Sequence, residues 1–421
     1  VPFLLGPALA SLSLLSDSRT PFLNPDKNPI LNVVLRQTIY SQFCAGETPA
    51  EVRKTIANLK QLGYAGVILG YGREVVMDGD ETSMFERESG KQGVAEQAEA
   101  PNAEQTLREI QEWKEGTMQT VELADAGDFV ALKFTGAGRE ALRHLVQGLP
   151  PSPVLQEAIF EICDRAKDRK ILLLFDAEQH AVQDTIDSWV LDLQRRYNNS
   201  FSLWGKPRAL IYNTYQAYLQ STPKTLASHL AASQRESFVL GVKLVRGAYL
   251  NSDPRDIFWT TKQETDNVYD AIAQCLMTRK YNDIVQRVDE DVCAFPQADL
   301  VLASHNRASV ERARAFRDDQ TRRGEPLIEM VYGQLQGMAD DISCPLVRQS
   351  MTAASRDHGL GQQPHGESPK PYKYLVWGTV GECTKYLLRR GHENRDAASR
   401  TKDTRVAMLK ELKRRSLMGW R

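Results

Sequence analysis

The sequence predicts an α/β chain folded as a (β/α)8 TIM-type barrel, with an N-terminal helical extension and a mobile acidic insertion. Three observations carry this expectation. Eight short apolar runs alternate with segments of helical periodicity, the pattern of a parallel sheet wrapped by helices. The runs are continuously apolar, as strands covered on both faces must be. Nearly every run ends in polar or charged residues: Lys133, Asp176, Tyr212 to Gln216, Arg246, Ser304-His305-Asn306 and Gln334. Such residues at the ends of many strands converge on one barrel mouth, whereas an open sheet gathers them at a single switch point.

The elements follow in order. Residues 1–16 (VPFLLGPALASLSLLS) are apolar but short for a bilayer span and broken by two prolines and a glycine, so packing on the main domain is expected. A chain opening on Val1 reads as processed or trimmed. An amphipathic helix is expected over 32–43, and a second starts at Thr48-Pro49, with Thr48 as cap and proline at the first turn. Val52, Ile56, Leu59 and Leu62 keep helical spacing until Gly63. Residues 1–63 thus form a helical segment, 64–396 the barrel and 397–421 a basic tail. The first strand is 65–69; residues 78–105 are acidic and poor in apolar side chains, the insertion. A long helix over 105–123 carries Leu107, Ile110, Trp113, Met118 and Val121, and the remaining runs are 129–134, 171–175, 209–212, 238–245, 300–303, 328–331 and 374–377.

Composition narrows the function. The chain has 421 residues, 42% hydrophobic and 25% charged, with net charge -1, which does not suggest a nucleic-acid binder. Six cysteines without CxxC spacing read as a reducing compartment, and seven scattered histidines without HExxH propose no metal site. The tail over 400–421 sets Val406, Leu409, Leu412, Leu417 and Trp420 among basic residues, suited either to an anionic membrane surface or to a docked terminal helix.

Four motifs carry chemistry. In Gly381-Glu382-Cys383-Thr384-Lys385-Tyr386-Leu387-Leu388-Arg389-Arg390-Gly391-His392-Glu393-Asn394, a helix puts Tyr386, Arg389, Arg390 and Glu393 on one face. Two guanidiniums held by a carboxylate one turn on are built to clamp an anionic carboxylate; a solvated helix laced with salt bridges is the alternative. In Val242-Lys243-Leu244-Val245-Arg246-Gly247-Ala248-Tyr249-Leu250, Lys243 and Arg246 read as alternating with apolar residues, both facing an anion in the barrel mouth. Gly247 and Ala248 admit a flat ring near the backbone, and an edge strand with solvated cations is the alternative. Phe175-Asp176-Ala177-Glu178 ends a buried strand: Asp176 is expected to point into the site with Lys133 as partner, and Glu178 to begin the next helix. Gly136-Ala137-Gly138-Arg139-Glu140-Ala141 matches a dinucleotide fingerprint, but no acidic residue ends a strand about twenty residues later.

The segments VKLVRGAYL, ASHN, YGQLQGM and YLLRRGHEN, in this order, resemble the proline dehydrogenases, closest to the eukaryotic mitochondrial branch, over about residues 30–396. The resemblance implies an FAD-containing barrel that oxidises L-proline to Δ1-pyrroline-5-carboxylate, passing a hydride from proline C5 to flavin N5 and electrons to a membrane quinone. It implies that Arg389 and Arg390 clamp the substrate carboxylate, that Glu393 orients them, and that Lys133, Asp176, Ala248, Tyr249, Leu335 and Tyr374 line the substrate pocket. It implies flavin contacts from Gln216, Lys243, Arg246, Thr260, Lys262, His305 and Asn306, joined by Asp176, Val245, Gly247, Ala248, Ser304 and Glu393. It further implies a mitochondrial enzyme at the inner membrane or matrix side, in peripheral contact with the membrane. Bacterial relatives tend to the reverse order of the two cations in VKLVRGAY, which leaves open which one reaches the flavin. Tyr374 would crowd C4 of a bound proline and disfavour hydroxyproline. Rival readings are a hydroxyproline dehydrogenase, an NAD-linked oxidoreductase using the Gly136 loop, and a catalytically silent barrel. No histidine is placed as the base for the substrate amine.

Overall fold

The computed structural model describes residues 22–72, 103–250, 252–289, 294–357 and 367–396. Eight parallel strands form a closed barrel: β1 (Gly66–Tyr71), β2 (Phe129–Leu132), β3 (Leu172–Phe175), β4 (Ile211–Gln216), β5 (Leu240–Val245), β6 (Ala298–Ala303), β7 (Met330–Leu335) and β8 (Pro371–Trp377). They follow chain order around the wall, and β8 pairs with β1 to close it. Each corresponds to one of the apolar runs. The fourth run ends later than its hydrophobicity suggests, because the barrel satisfies polar residues inside the strand: Thr214 Oγ1 donates to Phe175 O at 2.6 Å and Asn213 Nδ2 to Asp187 Oδ1 at 2.8 Å.

Among the described residues ten helices surround the wall: α1 (Pro49–Gln61), α2 (Ala103–Leu123), α3 (Arg139–Val146), α4 (Pro153–Arg169), α5 (His180–Tyr197), α6 (Thr222–Glu236), α7 (Lys262–Thr278), α8 (Arg307–Arg322), α9 (Asp340–Asp357) and α10 (Val380–Asp396). Helix α1 starts as its sequence predicts, with a capping box between Thr48 and Glu51 and Pro49 in the first turn. Val52, Ile56 and Leu59 are buried, but Leu62 is 63% exposed because it lies past the helix end. Leu107 on α2 is likewise exposed while Ile110, Trp113 and Val121 are buried. Helix α2 begins at Ala103, so the last three residues of the expected insertion belong to it. The rest of the insertion, the apolar stretch 1–16 and the tail 397–421 lie outside the described residues.

The arm before α1 is helical over residues 29–43, with a π turn at Arg36–Tyr40. It packs on β8 and α10 through Leu35, Tyr40, Cys44, Val376, Val380, Cys383, Tyr386 and Leu387. At the N-terminal end of the barrel a buried polar plug closes the interior. Arg208 Nε donates to Asp299 Oδ2 at 2.7 Å, and Tyr212 Oη donates to the same oxygen at 3.1 Å. That end serves stability; the open end is opposite.

Candidate active site

Strand register decides which side chains reach the open mouth. Ala131, Leu174, Tyr212, Gly241 and Asp299 form one row across β2 to β6. Side chains alternate along a strand, so the next inward row, two residues on, holds Lys133, Asp176, Thr214, Lys243 and Val301. The third row holds Gln216 beside Val245, with Leu335 beside Tyr374 on the far wall.

Asp176 is the centre of this arrangement. Lys243 Nζ donates to its Oδ1 at 2.5 Å, and Tyr374 Oη donates to its Oδ2 at 2.8 Å. The three residues come from β3, β5 and β8, no two of which are neighbours, so they meet across the interior. Lys243 Nζ also lies 5.3 Å from the centre of the Tyr374 ring. Burial pushes the Asp176 carboxyl up, but the charges of Lys243 and Lys133, with the two hydrogen bonds, overcome it and hold the pKa below its ordinary value. Asp176 is therefore a carboxylate at neutral pH. The sequence paired it with Lys133; its direct partner is Lys243, and Lys133, its neighbour by register, acts on it through charge.

The second cation turns elsewhere. Lys243 and Arg246 are three residues apart, so they cannot share a strand face, and β5 ends at Val245. Arg246 leaves the strand toward α7 and α8. Its Nε donates to Asp266 Oδ1 at 2.6 Å, Nη1 to Ser304 Oγ at 2.7 Å and Nη2 to Ser309 Oγ at 2.8 Å. The guanidinium lies 4.2 Å from the centre of the Tyr269 ring. Asp266 also binds Lys262 and, at 3.4 Å, the Asn306 amide. Asp266 and Ser309 escaped sequence reasoning; the i, i+4 spacing of Lys262 and Asp266 was the available signal. Asn306 caps α8, and His305 Nε2 accepts from Leu335 N at 3.1 Å, which puts the ring proton on Nδ1. Thr260, His305 and Ala248 are exposed at this rim, and Gln216 is buried with its Oε1 accepting from Ala248 N at 3.4 Å. Tyr249 Oη donates to Ala177 O at 3.3 Å.

Residues 380–396 are helical, so Tyr386, Arg389, Arg390 and Glu393 do fall on one helix face. Tyr386 is buried, and the Arg390 guanidinium carbon lies 5.5 Å from the centre of its ring. The side chains of Arg389 and Glu393 lie outside the described residues.

At φ +145°, an added Cβ on Gly247 would sit 2.0 Å from the Tyr218 ring, so packing by itself calls for a glycine there. Two expectations fail on contact geometry. Glu178 does not serve the dipole of α5, since its carboxylate reaches back to Thr135, accepting from the backbone N at 3.2 Å and from the hydroxyl. The Gly136 loop cannot cradle a pyrophosphate. The Glu109 carboxylate already accepts from Arg139 N at 2.9 Å, and a Cβ on Gly138 would lie 2.3 Å from it. A groove of about 770 Å³ between α4 and α5 lies outside the barrel, lined in part by Phe134, whose ring stacks on Phe175. Among the described residues no cluster of three His, Cys, Asp or Glu could hold a metal ion.

A closed (β/α)8 barrel with an ion-paired carboxylate at its C-terminal mouth and an arginine-bearing last helix defines a barrel enzyme whose chemistry sits on strand ends. The comparison with protein families narrows the class: the chain belongs to the proline dehydrogenase family, whose model matches residues 52–403. It is 31% identical to the probable mitochondrial proline dehydrogenase of Schizosaccharomyces pombe, over 92% of this chain and 81% of that one. It is 26% identical to the hydroxyproline dehydrogenase of Bos taurus, over 91% and 82% of the two chains. Among solved structures, proline utilization A from Bdellovibrio bacteriovorus superposes with a TM-score of 0.63 at 15% identity. That match covers 92% of this chain but 36% of the bacterial one, and it shows the shared fold.

Proposed function

We propose that this chain is a flavin-dependent proline dehydrogenase, oxidising L-proline to Δ1-pyrroline-5-carboxylate with FAD as cofactor and a quinone as acceptor. The observation that carries this reading is the Asp176–Lys243–Tyr374 cluster at the mouth of a barrel in this family. The donors along the ends of β4 to β6 suit a polyanionic cofactor with an amide-edged ring: the Gln216 amide, Lys243, Arg246, Ser304, His305 and Asn306, beside the N-termini of α7 and α8. Thr260 and Lys262 stand on the same rim. When bound, the flavin takes up the hydride from the substrate ring.

The chain's own residues bind and orient. Arg389 and Arg390 take the substrate carboxylate by charge-assisted hydrogen bonds, with Glu393 holding the pair. Asp176 anchors the Lys243 ammonium and the Tyr374 hydroxyl, so the floor of the pocket is rigid before substrate arrives. Leu335, Ala248 and Tyr249 complete the walls and, with the Tyr374 ring, keep water from the hydride path. With its hydroxyl committed to Asp176, Tyr374 competes with any substituent on the substrate ring, which favours proline over hydroxyproline.

The names of two relatives support a mitochondrial location; a place at the inner membrane or its matrix side is what use of a membrane quinone would require. Contact with the quinone pool is assigned to peripheral docking, as the family resemblance implies; among the described residues no helix is long and apolar enough to cross a membrane. Turnover on L-proline and on trans-4-hydroxy-L-proline tests the reading. A higher kcat/KM for proline is expected, and the reverse order would make the chain a hydroxyproline dehydrogenase.

A further inference from the structure

Helix α10 is fastened at its N-terminus by residues that precede the segment matched by the family model. The first turn of any helix leaves backbone N–H groups without intrahelical partners. Thr379 and Glu382 satisfy two of them locally: Glu382 N donates to Thr379 Oγ1 at 3.2 Å, and Thr379 N donates to Glu382 Oε2 at 2.8 Å. A third is taken from a distance. Gly381 N donates to Asp26 Oδ1 at 2.8 Å, and Thr379 Oγ1 donates to Asp26 Oδ2 at 2.9 Å. Gly381 makes this approach feasible, because a Cβ there would lie 2.3 Å from Asp26 Oδ2.

The arm continues over the end of β8 and onto the same helix. Tyr40 Oη donates to Gly378 O at 2.5 Å, Ala45 N donates to Val376 O at 2.7 Å, and Cys44 packs in one apolar cluster with Cys383, Tyr386 and Leu387 of the helix. Cys383, Tyr386 and Arg390 fall at i, i+3 and i+7, so the face gripped by the arm is the face that carries Arg390. Two carboxylates, Asp26 and Glu382, also complement the positive end of the helix.

We propose that the arm, residues 22–44, is a working part of the active site, and that Asp26 is a positioning residue acting through α10 on the arginine pair. The proposal rests on reading Arg389 and Arg390 as the carboxylate clamp. A clamp that shifts or tilts with its helix loses substrate affinity before it loses turnover, so the expected signature is a change in KM with kcat nearly kept.

The test is steady-state kinetics with L-proline on the flavin-loaded full chain, for Asp26→Ala, Asp26→Asn, Gly381→Ala, the Asp26→Ala/Gly381→Ala double variant and Arg390→Met. Asp26→Ala and Gly381→Ala should each raise KM about five- to tenfold with kcat changed less than about twofold. The double variant should be no worse than the worse single, since both remove the same contact. Asp26→Asn, which keeps one acceptor oxygen, should recover part of the loss. If Arg390→Met raises KM but the Asp26 and Gly381 variants lower only the Tm, Asp26 is a structural cap and the proposal is overturned. Additive losses in the double variant overturn it as well. If Arg390→Met leaves KM unchanged, the clamp reading itself has failed.

Discussion

Replacing Lys243 by Met removes the ammonium and keeps most of the stem, so it isolates the charge that holds Asp176 ionised. In the native protein the two side chains are 9% and 13% exposed and 2.5 Å apart. Without Lys243 the carboxylate keeps the Tyr374 hydroxyl and the nearby charge of Lys133, while burial still opposes its ionisation. Breaking such a buried pair costs about 3–5 kcal/mol, because one charge stays behind. Adding Asp176→Asn removes that stranded charge, so the double variant should recover all but about 1–2 kcal/mol, a coupling of at least about 2 kcal/mol. Urea denaturation of the flavin-loaded protein at pH 7, followed by tryptophan fluorescence, measures this. The pH dependence supplies a second readout. In the native protein the folded-state pKa of Asp176 is depressed, so its contribution is present above the ordinary carboxyl value and lost as pH falls through the folded pKa. In Lys243→Met burial dominates and the pKa rises, so the penalty relative to the native protein should shrink from pH 7 toward pH 5. Additive losses with a penalty independent of pH would refute the reasoning.

Other perturbations follow from the same geometry. Arg390→Met, and likewise Arg389→Met, should raise the KM for proline by about 10- to 150-fold, the value of a charged hydrogen bond of about 1.5–3 kcal/mol, in steady-state kinetics. Glu393→Ala should show a weaker form. Tyr374→Ser should shift the ratio of kcat/KM toward hydroxyproline, read by competing the two substrates. Gly247→Ala should cost more than about 2 kcal/mol in denaturation, since its Cβ would strike the Tyr218 ring and φ is +145°. The hydroxyl of Tyr218 donates to Asp253 at 3.0 Å, so that ring cannot swing away. Burial and the nearby charge of Arg195 hold the His229 pKa down at about 4, while Tyr215 Oη lies 2.7 Å from its Nδ1. The unfolded chain therefore binds a proton below about pH 6.5 that the folded chain refuses until about pH 4. Relative to His229→Gln, the native protein should lose about 3 kcal/mol of stability across that window as pH falls.

The strands were legible because burial on both faces writes a continuous apolar run, and Thr48-Pro49 announced α1 through its own capping chemistry. Lys133, Asp176, Gln216 and Lys243 were found because each stands near the C-terminal end of such a run. What the runs do not contain is the choice of partner. Asp176 finds Lys243 and Tyr374 across the interior, at separations of 67 and 198 residues that no local pattern encodes. Arg246 was misjudged because period two cannot join residues three apart, and the strand ends before it. The Gly136 loop had the spacing of a phosphate cradle, but a glutamate from α2 fills it. The arm reads as a helix from its sequence, yet its seat on α10 depends on contacts such as Asp26 with Thr379, 353 residues apart.

The most direct measurement is the visible absorption spectrum of the purified protein before and after anaerobic L-proline. A bound flavin whose main band bleaches on adding proline is the predicted result, since it reports cofactor and reductive half-reaction together. A protein that takes up no flavin when FAD is supplied, or whose flavin stays oxidised with excess proline, would contradict the account.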